Sequence, residues 1–130
     1  MLGFDEEFAD IRDYILKITI RIWEGRQINS IRDYYSNPCP VKTPLSFTTD
    51  LESVIKGTVA VLNQFPDQTL LGEDIIGTEE DRGVFYSSHR IFSNMTHKGD
   101  GYFGPPTNNE VNVRTIADCL CKGNKIVDEW

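Results

Sequence analysis

Apolar residues recur at Phe8, Ile11, Ile15, Ile18 and Ile22, at spacings of three and four, which is the period of one helix face; Gly25 follows as a stop. This pattern predicts a long first helix. A shorter helical piece is expected around Ile28, Ile31, Tyr34 and Tyr35, ending before Pro38 because the residue ahead of a proline avoids the helical region. Pro38, Pro40 and Pro44 leave the next stretch extended or irregular. Thr49-Asp50-Leu51-Glu52 then has the composition of a capping box, with the Thr49 hydroxyl and the Glu52 carboxylate serving the free N–H groups of a third helix. Leu51, Val54, Ile55, Val59 and Leu62 supply its buried face, and Pro66 closes it.

Beyond Pro66 the helical period is lost and β-branched and aromatic residues take over. Strands are expected over 68–78, 84–97, 111–122 and 125–130, with a charged turn at 79–83. Gly123-Asn124, flanked by apolar runs, has the composition of a two-residue hairpin loop, in which both residues tolerate positive φ. A loop over 98–109 contains Gly99, Gly101, Gly104, Pro105 and Pro106. Helices first and antiparallel strands afterwards predict an α+β arrangement with the helices on one side of the sheet. If that sheet curves, a cavity opens beneath the helices, where a ligand would sit.

Length and charge narrow the function classes. The 130 residues, 39% apolar, suit one domain spanning 1–130 with a core that needs no staples. Twenty acidic against thirteen basic residues give a net charge of -7, a field that repels phosphate backbones and anionic lipid, so neither nucleic acid nor membrane is an expected partner. The start Met1-Leu2-Gly3-Phe4-Asp5-Glu6-Glu7 lacks the basic and apolar character of a signal peptide, and a cytoplasmic location is expected. Cys39, Cys119 and Cys121 have no zinc-site spacing and read as buried free thiols.

Several short motifs, in order, resemble the SnoaL-like polyketide cyclases of the nuclear transport factor 2-like superfamily. They are Asp33-Tyr34-Tyr35 followed by Pro44, Phe65-Pro66-Asp67, Thr96-His97 followed by Gly99, Pro105-Pro106-Thr107, and the final run from Gly123 to Trp130. The resemblance implies a cone-shaped fold with three N-terminal helices on a curved, mainly antiparallel sheet, a pocket inside the cone, and a homodimer through the outer sheet face. It also implies a catalytic histidine on the strand 111–122 and an acid near the end of the last strand. In that register the histidine position falls on Ala117 and the acid falls one residue beyond Trp130, so the cyclase pair is not expected within the chain.

Other residues carry chemistry that could serve catalysis. Gly99-Asp100-Gly101-Tyr102-Phe103-Gly104 matches a dinucleotide-site pattern, but Pro105-Pro106 follows where a helix would have to start, which rules that site out. His89 and His97, eight residues apart on one strand, would stand about 26 Å apart and cannot share a metal. Each reads either as a general base, since histidine titrates near neutral pH, or as a structural imidazole. Asp118 is the remaining acid of interest, either bridged to Arg114 or Arg90 or unpaired as a proton-transfer group. Trp23, Tyr34, Tyr86, Cys119 and Trp130 are candidate pocket-lining residues, with the core as the alternative for the aromatics. The combined expectation is a domain that binds a small hydrophobic molecule, acting without metal or cofactor as a cyclase or isomerase on a carbonyl compound. Its rival is a non-catalytic ligand-sensing or dimerisation module.

Overall fold

The structure, a computed structural model, describes residues 1–130. Helix α1 spans Ile11–Thr19, and the side chain of Asp10 caps it by accepting the Asp13 N–H at 2.9 Å. The apolar stripe continues to Gly25 as foreseen, but the turn Ile20–Glu24 is a π-helix: the Gly25 N–H reaches back five residues to the Ile20 carbonyl at 2.8 Å. A Cβ at residue 25 would come within 2.9 Å of the Arg21 carbonyl oxygen, so only glycine closes this widened turn. A 3-10 turn, Ile28–Ser30, leads into the one-turn helix α2, Ile31–Tyr34.

Two short strands, β1 (Val41–Lys42) and β2 (Phe47–Thr48), occupy the stretch expected to be extended or irregular. Helix α3 spans Leu51–Gln64. Its cap is Asp50 rather than Thr49: the Asp50 carboxylate accepts the Ser53 N–H at 3.0 Å, while Glu52 pairs with Arg32 at 2.7 Å instead of folding back. The cap is thus displaced by one residue, and the reciprocal half of the expected capping box is not formed. Val59, expected inside, is exposed, and Thr58 takes the buried position by donating its hydroxyl to the Val54 carbonyl.

Three strands of 13 residues each, β3 (Thr69–Asp81), β4 (Val84–Thr96) and β5 (Glu110–Lys122), form successive antiparallel pairs, and β6 (Lys125–Glu129) completes the sheet. The order is β2-β1-β6-β5-β4-β3, with β1 running parallel to β6 and every other pair antiparallel. This is the expected α+β fold, three helical segments on a mainly antiparallel sheet. The charged turn is tighter than expected, since Glu79 to Asp81 stay in β3 and only Arg82-Gly83 turn, with Gly83 at φ +76°.

The main core lies between α1 and the β4–β5–β6 end of the sheet. Tyr14 is fully buried, meets Phe4 and Phe8 edge-on at 5.0 and 4.9 Å, and donates its hydroxyl to the Asn124 carbonyl at 2.9 Å. Helix α1 is therefore locked to the tip of the β5–β6 hairpin. Both residues of that tip, Gly123 and Asn124, have positive φ, +57° and +67°. The Asn124 side chain also accepts the Asp5 N–H and donates to the Asp5 carboxylate.

Replacing Asn124 with Val should cost about 1–3 kcal/mol, because a β-branched residue is strained at positive φ and the Asp5 bonds go with the amide. Thermal unfolding should show a Tm lowered by several degrees, whereas Asn124→Gly should retain most of it; equal melting of Asn124→Val and wild type would contradict the strain argument.

Candidate functional site

Alternation along the long strands assigns the two faces of the sheet. Ser87, His89, Ile91, Ser93 and Met95 of β4 point toward the helices, opposite Cys119, Ala117, Thr115, Val113 and Val111 of β5. Between this face and the helices lies a cavity of about 620 Å³, walled by Ile15, Ile18, Ile22 and Trp23 from the first helical segment and largely apolar. The π-helical turn sets Trp23 against it. Among its polar lining residues, Glu129, Tyr35 and His89 lie toward one end and Gln64, Gln68 and His97 toward the other, with Ser93 and Thr115 on the sheet between them.

Glu129 reaches the cavity through a β-bulge. Opposite β5, Cys121 pairs with Ile126, but Leu120 pairs with Asp128, which leaves Val127 as an extra residue. Ile126 and Glu129 consequently share the inner face, and Glu129 stands across from buried Cys119. Strict alternation from Ile126 would instead have pointed Asp128 and Trp130 inward. Tyr35 donates its hydroxyl to the Glu129 carboxylate at 2.7 Å, and no cation forms an ion pair with that carboxylate. Burial raises its pKa, and the Tyr35 bond only partly offsets the rise.

His89 lies directly across from Ala117, only 7% exposed, with Nδ1 enclosed and unpartnered. Burial lowers its pKa, against a smaller opposing pull from Asp118, so the ring is neutral at neutral pH. It can offer one N–H and one acceptor nitrogen. His97 follows β4 at the far end of the cavity, stacks on Phe65 at 5.4 Å and meets Thr107 Oγ1 through Nδ1 at 3.3 Å. Its Nε2 has no partner.

Of the residues singled out from sequence, Trp23, His89, His97 and Cys119 line the cavity. Asp118 does not: one residue from Cys119, it points to the outer face, where its backbone pairs with Trp130. The expected bridge to Arg114 or Arg90 is also absent, because Glu73 engages both, at 2.9 and 3.3 Å. Tyr34 is in the core, edge-on to Phe8 and Tyr14 and bonded to Arg21. Tyr86 and Trp130 face outward and pack on each other at 5.9 Å. The bulge also brings to the cavity wall an acid not among the sequence candidates, Glu129. The three thiols are buried as expected; burial holds Cys119 well above the usual thiol range and pushes Cys121 up to about 12 and Cys39 to about 11, so none is a thiolate near neutral pH. No three His, Cys, Asp or Glu side chains are grouped to hold a metal ion, and no helix is long and apolar enough to cross a membrane.

No protein-family profile matches the chain, and no curated protein does. Solved structures do match its fold. A protein from Acidithiobacillus ferrooxidans, provisionally named a polyketide cyclase, superposes with a TM-score of 0.77 at 16% identity, covering 94% of this chain and 87% of its own. AclR from Streptomyces galilaeus, provisionally named a hydroxylase, gives 0.74 at 22% identity over 92% of this chain and 72% of its own. A SnoaL-like polyketide cyclase from Agrobacterium tumefaciens gives 0.68 at 15% identity, over 91% and 86%. At these identities the likeness establishes the fold.

The raised pKa of Glu129 has a consequence for stability. The folded chain binds this proton more tightly than the unfolded one, so the carboxylate destabilises the fold increasingly as pH rises from the unfolded value of about 4.5 through the folded value. Glu129→Gln removes the charge while keeping the shape. The variant should melt higher than wild type at pH 7, with the difference shrinking toward pH 4.5; His89, whose lowered pKa acts in the opposite sense below 6.5, cancels in this comparison. A variant less stable than wild type at every pH would mean that the carboxylate is well solvated or paired.

Proposed function

We propose that this chain, which shares the fold of SnoaL-like polyketide cyclases in the nuclear transport factor 2-like superfamily, binds a hydrophobic carbonyl compound and moves protons on it without a cofactor. The observation that carries the reading is a lone carboxylate, Glu129, held by Tyr35 against the wall of an otherwise largely apolar cavity. A desolvated carboxylate with a raised pKa is a better base than one in water.

In the proposed reaction Glu129 takes a proton from the carbon beside the carbonyl. The C–H pair becomes a C=C bond, and the carbonyl oxygen takes up the negative charge as an enolate. A fixed donor must stabilise that oxygen, and the neutral His89 ring is the group we assign to this role. Return of the proton from Glu129 to a different carbon is an isomerisation. Attack of the enolate carbon on a second carbonyl closes a ring, and the resulting alkoxide takes the proton back from Glu129. Neither route needs an outside oxidant or electron carrier. The predominance of apolar side chains around the cavity favours the second reading, a ligand-binding module with no turnover.

A second copy of the chain is the partner proposed for the outer sheet face. Ile76 and Ile116 are 64% and 69% exposed there, beside the Glu73–Arg90–Arg114 cluster. Sedimentation at micromolar concentration should give a dimer for wild type and a monomer for Ile116→Glu; a monomeric wild type would remove this partner.

Proton transfer can be read without knowing the natural substrate. With 2-acetylnaphthalene in D₂O, the wild-type protein should speed deuteration of the methyl group, followed by NMR, and the rate should rise with pH around a midpoint above the ordinary carboxylate range. Glu129→Gln should lose about 10²- to 10⁴-fold. Exchange no faster than in buffer, with the ketone shown to be bound, would favour the binding-only reading.

A further inference from the structure

We infer that the cavity takes an elongated, uncharged ligand whose far end carries a hydroxyl or N–H group, recognised by Gln64, Gln68 and His97. This inference rests on reading the cavity as a ligand site, and not on the chemistry assigned to Glu129.

Three buried polar atoms at that end have no partner: Gln64 Oε1, Gln68 Oε1 and His97 Nε2. They come from the last residue of α3, the residue before β3 and the residue after β4, so three separate elements deliver them to one place. The Gln64 side chain is oriented unambiguously, because its Nε2 donates to the Ala60 carbonyl at 3.0 Å, leaving the oxygen free. Gln68 spends its Nε2 on Ser93 Oγ at 3.4 Å. Gln64 and His97 are each only 5% exposed. Buried acceptors are rarely left unpaired, and leaving them so destabilises the fold. Two carbonyl oxygens call for donors, and a carboxylate or phosphate placed against them would be repelled.

The loop 98–107 is shaped around this corner. A Cβ at residue 101 would come within 2.3 Å of Gln64 Cδ, and one at residue 99 within 2.0 Å of the Asn63 carbonyl oxygen. The two glycines therefore let the loop lie flush over Gln64. Phe103 leans on Phe65 at 6.1 Å and lines the same cavity. The glycine-rich motif that cannot serve a nucleotide thus has a role as the cover of this corner.

Between this corner and His89 the inner face of the sheet presents Ile91, Met95, Val111 and Val113. Eight residues of strand separate His97 from His89, a span of about 26 Å if flat and less on a curved sheet. The volume of about 620 Å³ corresponds to roughly twenty atoms at about 30 Å³ each. A long, narrow molecule with an apolar middle fits these limits, its carbonyl beside Glu129 and its donor beside Gln64.

The test uses 2-octanone, 2-dodecanone, 2-hexadecanone and 2-eicosanone, each beside the same ketone with a hydroxyl on its last carbon, with affinity measured by calorimetry. At the length that reaches the corner, the hydroxyl should improve binding about three- to tenfold, while shorter members gain nothing. Gln64→Met should abolish that gain, so that within this variant each hydroxylated ketone binds no better than its plain counterpart. If that variant does not fold, as judged by circular dichroism, Gln68→Met supplies the same comparison. A hydroxyl advantage absent at every length, or one that survives both substitutions, overturns the inference, as does failure of every ketone to bind. The advantage seen without any deuterium exchange would sustain the inference while removing the proton-transfer role of Glu129.

Discussion

Val127 has no partner across the β5–β6 ladder, and the inner end of the cavity depends on that one unpaired residue. A regular strand would leave Glu129 on the outer surface and turn Asp128 and Trp130 toward the helices. With the bulge, the carboxylate meets the Tyr35 hydroxyl at 2.7 Å, and β6 still continues into the pairing with β1 through Val41 and Glu129. The hairpin tip fixes where the bulge falls. Asn124 is held by Tyr14 and Asp5, so the register of β6 is counted from a point anchored to α1.

The elements governed by periodicity were legible in the sequence. The stripe from Phe8 to Ile22, the long strands and the Gly123-Asn124 turn each follow from local sterics or from a repeating burial pattern. Residues off the period were not legible. Nothing in Ile126-Val127-Asp128 announces a bulge, because any of the three could absorb the extra position, and strict alternation then assigns Trp130 to the pocket and passes over Glu129. Asp118 is a different case: alternation along β5 separates it from Cys119 and Ala117, so its face keeps it out of the cavity whatever its chemistry. The cap of α3 shifted because Thr49 and Asp50 are both competent, and the Asp50 carboxylate engages both the N–H and the hydroxyl of Ser53.

The cavity concentrates features that weaken a fold. It holds a carboxylate without a cation, a histidine kept neutral by burial, and several enclosed polar atoms without partners. Stability is supplied elsewhere, by the aromatic cluster of Phe4, Phe8, Tyr14 and Tyr34 at the α1 end and by the long β3–β4–β5 ladders. Separating a packed half from a hollow half lets the hollow one hold polar groups that a filled core would exclude.

The chain has two tryptophans, and the bulge places them on opposite sides of the sheet: Trp23 borders the cavity, while Trp130 lies outside against Tyr86, 42% exposed. Their emission therefore reports different events. Filling the cavity alters the surroundings of the indole at Trp23, whereas contact on the outer face alters those at Trp130. Replacing either with Phe leaves a protein with a single tryptophan, so that occupancy and association can be followed separately, each in its own variant, without any added dye.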